Sequence, residues 1–193
     1  MKAALVIVAD DPLPEPPPGA AADERAWVEA ARAGERAAFG RLYQRYAAMV
    51  HGLLLAHVPP AEVDDLAQDV FVLALRKLPG LRDPAAFAPW LAAIARNRAM
   101  DRHRGQKPPL VAATPDLPRP APAAVEARAI LAVIHQLPPA YRETLVLRLV
   151  EDMTGPEIAA RTGLTPESVR VNLHRGMKKL RELLDRQPGG ERP

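Results

Sequence analysis

A short stretch near the carboxy terminus holds the residues best suited to chemistry with a nucleic acid. Arg170, Asn172 and Arg175 stand close together, with Lys178 and Lys179 just beyond them. An arginine can bind guanine through two parallel hydrogen bonds, and an asparagine can do the same with adenine. Lysines suit phosphates, contacts that give affinity without sequence information. On a helix, Ser168, Arg170, Val171, Asn172, His174 and Arg175 would cover the outer part of its first turns. A second basic group gathers Arg96, Arg98, Arg102, Arg104 and Lys107. Two such groups fit two contacts with a polyanion. From charge alone, two solvated helix faces would look the same.

Other chemistries lack their parts. The 193-residue chain has no cysteine, which removes disulfides, thiolate catalysis and Cys-type zinc sites together. Ser168 is its single serine, in the wrong context for a hydrolase. No phosphate-cradling glycine loop is present. The histidines, His51, His57, His103, His135 and His174, show no metal-ligand spacing. Asp64, Asp65 and Asp69 form an acidic cluster that could in principle ligate a metal, but no histidine or second carboxylate-bearing helix supports such a site. The reading is of a protein that is not an enzyme and uses no cofactor or metal.

The elements that must position the reading residues can be inferred from local rules. Thr154 followed three residues later by Glu157 is a capping-box pattern that opens a short helix to Thr162. Gly163 can take the positive φ needed to leave it. Thr165 and Pro166 then restart a helix as N-cap and first-turn residue. Two helices joined by about three residues containing glycine form a helix-turn-helix. Ala159 is small where the helices must touch, and Val169 points back into the crossing. Val169, Leu173, Leu180 and Leu184 share one side of the second helix and are expected to be buried. A recognition helix of this kind presents its amino-terminal residues to the major groove.

The whole chain reads as all-α. Hydrophobic residues make up 48% and aromatic residues 4%, so its cores are built from Leu, Val, Ile and Ala. No stretch alternates like a strand. Residues 1–24 are proline- and acid-rich and expected to be a disordered tail. A brief apolar run, Ala3 to Ala9, is at the minimum length for a signal peptide and is followed by Asp10-Asp11. A short local strand is the third reading of that run. No run approaches the length of a membrane span, so the chain is read as cytoplasmic, without membrane insertion. Residues 25–105 form a first helical domain, in which Phe39, Leu42, Tyr43, Tyr46, Met49, Val50, Leu53 and Leu54 make one apolar stripe. Phe87, Trp90, Leu91 and Ile94 line a later helix. Residues 106–124 carry six prolines, Pro108, Pro109, Pro115, Pro118, Pro120 and Pro122, a density that forbids regular helix and favours an extended linker reaching about 60 Å. Residues 125–187 form a second domain, and 188–193 a short tail. The two domains are expected to fold separately, with their relative orientation left open.

The motifs resemble one family. Glu157 to Leu164, Val169 and Leu173 to Leu180 look like region 4 of the extracytoplasmic-function (ECF) sigma factors, within the sigma-70 family. Gln136 to Glu143 resembles the "LP-x-x-x-R-E" opening of that region. Ala37 to Tyr46 resembles "A-F-x-x-L-Y-x-R-Y", Asp64 to Phe71 "D-D-L-x-Q-E-x-F", and Phe87 to Asn97 "F-x-x-W-L-x-x-I-A-R-N", continued by Asp101 to Arg104. Together these cover about 150 residues in the family's order.

The resemblance implies a first domain that binds the clamp coiled coil of core RNA polymerase and opens the −10 promoter element. It implies a second that binds the −35 element and the polymerase flap, with an anti-sigma factor as a further partner. Asp64, Asp65, Gln68 and Asp69 suit docking on a basic coiled coil. Acids near a helix start also stabilise its dipole, a role open to Glu62 and Asp64. Arg96, Asn97, Arg102 and Arg104 become candidates for −10 strand contact. Phe87 and Trp90 either stack on unpaired bases or belong to the core. Arg82 and Asp83, in the loop from Pro79 to Ala86, are polar members of a pocket for a flipped base. Ser168, Arg170, Val171, Asn172, His174, Arg175, Lys178 and Lys179 become the −35 contacts. The two elements lie about 60 Å apart along B-form DNA, at 3.4 Å per base pair. The chain departs from the family at Val171-Asn172, where Ser-Arg is common, and at Gly176-Met177, where Ala-Arg is commoner. Those departures are expected to alter −35 preference. An ordinary helix-turn-helix repressor is the alternative; it would dimerise on a two-fold site, and no dimerisation helix is evident.

Overall fold

The computed structural model describes residues 20–105 and 129–186, with side chains over 23–102 and 129–186. Every element among the described residues is helical. The first half holds α1 (Ala20–Arg32), α2 (Arg36–Leu55), α3 (Pro60–Lys77) and α4 (Phe87–Gly105), with 3-10 turns at Leu78–Gly80 and Pro84–Ala86 before α4. The second half holds α5, described over 129–134, then α6 (Pro139–Leu149), α7 (Gly155–Thr162) and α8 (Pro166–Asp185).

Proline sets several of the starts. α3, α6 and α8 each carry one in the first turn, where the missing N–H costs nothing. Ahead of α4, the Asp83 carboxylate accepts the Ala85 N–H at 3.0 Å and shapes the 3-10 turn. α2 lies at the centre of the first half, packed against α1, α3 and α4. Leu42, Tyr46, Met49, Val50, Leu53 and Leu54 are buried along it, as the apolar stripe requires. Tyr43 departs from that expectation and is 49% exposed. Being adjacent to Leu42, it falls on the flank of the stripe, where its ring sits 4.6 Å from that of Phe71 on α3.

One boundary differs from the sequence reading. Helix begins at Ala20 and not after residue 24: three alanines favour it, and Glu24 is held by Arg45 at 2.9 Å. The expected linker, the residues before 20 and the tail after 187 lie outside the described residues. The two halves, whose relative orientation the sequence left open, share one continuous apolar core. α6 packs on α2, and α7 packs on α4. The reason is that each half leaves small residues facing the other, which lets helices approach closely.

Candidate nucleic-acid interface

The helix-turn-helix is built by the local devices its sequence announces. Thr154 accepts the Glu157 N–H, and the Glu157 carboxylate takes the Thr154 N–H and hydroxyl, both at 2.9 Å. Burial pushes the Glu157 carboxyl up, but these hydrogen bonds and Arg161 outweigh it and hold it below the usual carboxylate range. α7 ends at Gly163 with φ +77°, and Thr165 caps α8 through the Ser168 N–H at 3.1 Å. Loss of such a cap costs about 1 kcal/mol. Ile158, Ala159, Val169, Met177 and Leu180 close the apolar contact beneath, with Leu173 and Leu184 half-buried against it.

α8 therefore presents a definite outer face. Ser168, Arg170, His174, Arg175, Lys178 and Lys179 are exposed, and Val171 and Asn172 are half-buried on its edge. All eight candidates come together on this helix. Gly176 and Met177, expected to alter −35 preference, face inward. A Cβ at Gly176 would meet Leu145 at 3.1 Å and Tyr141 at 3.2 Å, so the glycine lets α8 settle onto α6.

The arginine-rich end of α4 is placed differently. Arg96 is half-buried and turned toward the second half. Its Nε donates to both Glu143 oxygens at 3.1 and 2.9 Å, and its Nη1 to the Thr162 carbonyl at 3.4 Å. Arg98 donates to Asp69 at 2.6 Å, and Arg102 to Glu62 at 2.8 Å. Asn97 is exposed; the Arg104 side chain lies outside the described residues. Arg82 and Asp83 are exposed on the loop before α4, the Asp83 carboxylate already serving as a cap. Phe87 is fully buried, its ring 5.4 Å from Tyr46, which settles its alternative in favour of core; Trp90 is half-buried beside it at 5.7 Å.

Asp64, Asp65, Gln68 and Asp69 are all exposed on α3. Asp64 and Gln68 border a shallow groove that also runs over Phe39, Tyr43, Phe71 and Leu75. Tyr43, Val72 and Leu75 are each more than two-fifths exposed there. An apolar floor with an acidic rim is the surface expected of a partner site. Tyr43, Val72 and Leu75 were missed from sequence as surface residues because their spacing fits a core stripe equally well. Among the described residues no group of histidines and carboxylates could hold a metal. No described helix is long and apolar enough to cross a membrane.

The Sigma-70 region 2 model matches residues 42–108, and the Sigma-70 region 4 model matches 127–180. RNA polymerase sigma factor CarQ of Myxococcus xanthus is 37% identical over 165 residues, covering 81% of this chain and 95% of that protein. This chain is an ECF sigma factor of the sigma-70 family. The ECF RNA polymerase sigma factor SigD of Mycobacterium tuberculosis is 30% identical over 171 residues, covering 80% of this sigma factor and 81% of SigD. Among solved structures, CnrH in complex with the cytosolic domain of CnrY matches with a TM-score of 0.63 at 29% identity, over 86% of this chain and 99% of that one. The family consists of transcription initiation factors that act with RNA polymerase at promoters, and not of catalysts, so the repressor alternative falls.

Proposed function

We propose that this sigma factor divides promoter recognition between its two halves along the lines its surfaces suggest. Arg170, Asn172 and Arg175 on α8 read −35 bases, with Ser168, Val171 and His174 beside them. Lys178 and Lys179, farther along the helix, neutralise phosphates. Arg82, Asp83, Arg96, Asn97, Arg102 and Arg104 contact the −10 element. Asp64 and Gln68 at the groove, with Asp65 and Asp69 on the same helix, dock core polymerase through its clamp coiled coil, and the second domain also engages the flap.

The observation that carries this reading is the outward face of α8, where every base-reading candidate lies within three turns and the apolar residues point the other way. The solved relative CnrH is bound to the cytosolic domain of CnrY, which supports an anti-sigma factor as a partner of this chain and a cytoplasmic site of action. The direct test is run-off transcription with purified core polymerase and a selected promoter library. Initiation should depend on this chain and select a two-element site. The docking assignment has its own test: Asp69→Arg should reduce retention of core polymerase in a pull-down while leaving helix content unchanged. Retention at the wild-type level would remove α3 from the polymerase contact.

A further inference from the structure

The groove between α2 and α3 has an apolar floor and two ends of opposite charge. Tyr43, Val72 and Leu75 are 49%, 42% and 48% exposed along it, and Phe39 and Phe71 also line it. α2 ends at Leu55 and α3 begins at Pro60, a short connection that makes the two antiparallel. The Tyr43 ring accordingly meets Phe71 at 4.6 Å, and Phe39 falls one turn nearer to Leu75. At one end of the floor Asp64 and Asp65 are exposed, with Gln68 one turn farther in. At the other end Arg76 and Lys77 close α3 and Arg36 opens α2, all three exposed. Among the described residues, no ion pair engages Arg36, Asp64, Asp65, Arg76 or Lys77.

The amino-terminal sequence carries the complementary pattern. Lys2 precedes the apolar run Ala3 to Ala9, which holds Leu5, Val6, Ile7 and Val8, and Asp10-Asp11 follow it. The run lies outside the described residues, and promoter reading gives it no role. Its six residue steps, at about 3.3 Å each, carry an extended chain about 20 Å. From Asp64 to Lys77, at about 1.5 Å per residue, α3 also rises about 20 Å. Laid parallel to α3, the run brings Lys2 to Asp64 and Asp65, and Asp10-Asp11 to Arg36, Arg76 and Lys77. Laid the other way, it sets like charges together at both ends, which selects against that direction.

The connection reaches. α1 packs along α2, from Ala20 near the Glu24–Arg45 pair to Arg32 beside the start of α2, a length of about 20 Å. Nine residue steps from Asp11 to Ala20 span up to about 30 Å. The chain can therefore return from α1 to the basic end of the groove with length to spare.

We propose that the Ala3–Ala9 run seats in the α2–α3 groove of its own chain, parallel to α3, in competition with core polymerase. The inference rests on the reading of this groove as the polymerase-docking surface and adds an occupant that regulates it. In an extended run Leu5 and Ile7 share one side and Val6 and Val8 the other, so one pair meets the floor. The tether holds the run at an effective concentration in the millimolar range. A contact with a dissociation constant of about 1 mM then fills the groove about half of the time. A partner that needs the groove empty binds more weakly in proportion to the filled fraction.

The experiment locates both ends of the run. The chain has no native cysteine, so a nitroxide can be attached through Ala3→Cys or through Pro12→Cys. Its effect is read on the backbone amide signals of the isotope-labelled full-length chain by nuclear magnetic resonance. The label at position 3 should selectively broaden Asp65 and Gln68, and the label at position 12 should selectively broaden Arg36, Leu75 and Lys77. A mixture of nitroxide-bearing chain without isotope and isotope-labelled chain without nitroxide should show no broadening. Leu5→Asp combined with Ile7→Asp should abolish the selective broadening and leave helix content unchanged by circular dichroism. The same double variant should bind core polymerase about two- to tenfold more tightly than the wild type. Uniform or absent broadening overturns the proposal. Broadening in the mixture does so too, because the occupant is then a second copy. Loss of broadening on adding polymerase, with no gain in affinity in the double variant, overturns the competition. If selective broadening is present and persists with core polymerase bound, the seating stands and the assignment of this groove to polymerase docking fails.

Discussion

The outer face of α8 and the arginine-rich end of α4 are both cationic helix segments, but they differ in what already holds their charges. Among the described residues, no ion pair engages Arg170, Arg175, Lys178 or Lys179. On α4, Arg96, Arg98 and Arg102 are each paired with a carboxylate: Glu143, Asp69 and Glu62. Equal charge therefore does not mean equal readiness. The α8 face can meet a polyanion at once and release counterions. The α4 end must first exchange a protein carboxylate for a phosphate or base, and for Arg96 that carboxylate belongs to the other half.

The largest expected effect tests the ready face. Asn172→Ala and Arg175→Ala, assayed in holoenzyme on randomised −35 libraries, should each relax base preference at particular positions, by about 1–3 kcal/mol of discrimination. Unchanged preferences in both variants would show that α8 does not read the bases. Next in size, Lys178→Ala should weaken all −35 sequences alike and lower the salt slope of binding by about one. A sequence-dependent loss would instead move Lys178 into the reading group. Smaller still, Glu62→Gln should release Arg102 and modestly raise affinity for a forked −10 template. A fall in affinity there would mean that Glu62 positions Arg102 for the strand and does not compete with it.

The smallest effect concerns pH. Glu151, chiefly through its hydrogen bond, raises the pKa of His51 against the opposing effect of burial, with Asp64 adding to the rise. The folded chain therefore binds the His51 proton more tightly than the unfolded one. That contribution to stability is complete below the ordinary histidine value near 6.5 and is lost as pH rises through the raised value. Stability measured by chemical denaturation should decline over that interval, and His51→Gln should flatten the decline.

What was legible in the sequence follows the range of the forces involved. The capping box at Thr154, the left-handed Gly163 and the cap at Thr165 are decided by neighbours a few residues away, so α7, α8 and the outward face could be read in advance. The contact between the halves pairs His57 with Glu143 across 86 residues and His51 with Glu151 across 100. No local rule links them; scattered histidines without metal spacing gave no sign that His51 and His57 each had a carboxylate waiting in the other half. Tyr43 was misplaced for a related reason: adjacent to Leu42, it fits a wide apolar stripe, and only the position of α3 leaves it on the surface. Arg96 was recognised as a candidate contact, but its present partner lies beyond the linker.

Gly176 makes no contact with solvent-side chemistry, yet it sets the height of the reading helix. Any side chain there would require Leu145 or Tyr141 to yield by a few tenths of an ångström, or α8 to rise by that amount. Arg175 and Asn172 ride on the same rigid rod, so a displacement at its underside is carried to their tips as a change in depth and tilt. Hydrogen bonds to base edges are sensitive to shifts of that size. A position that touches no nucleotide can thus retune promoter choice by mechanical leverage, with the identity of every contacting side chain unchanged.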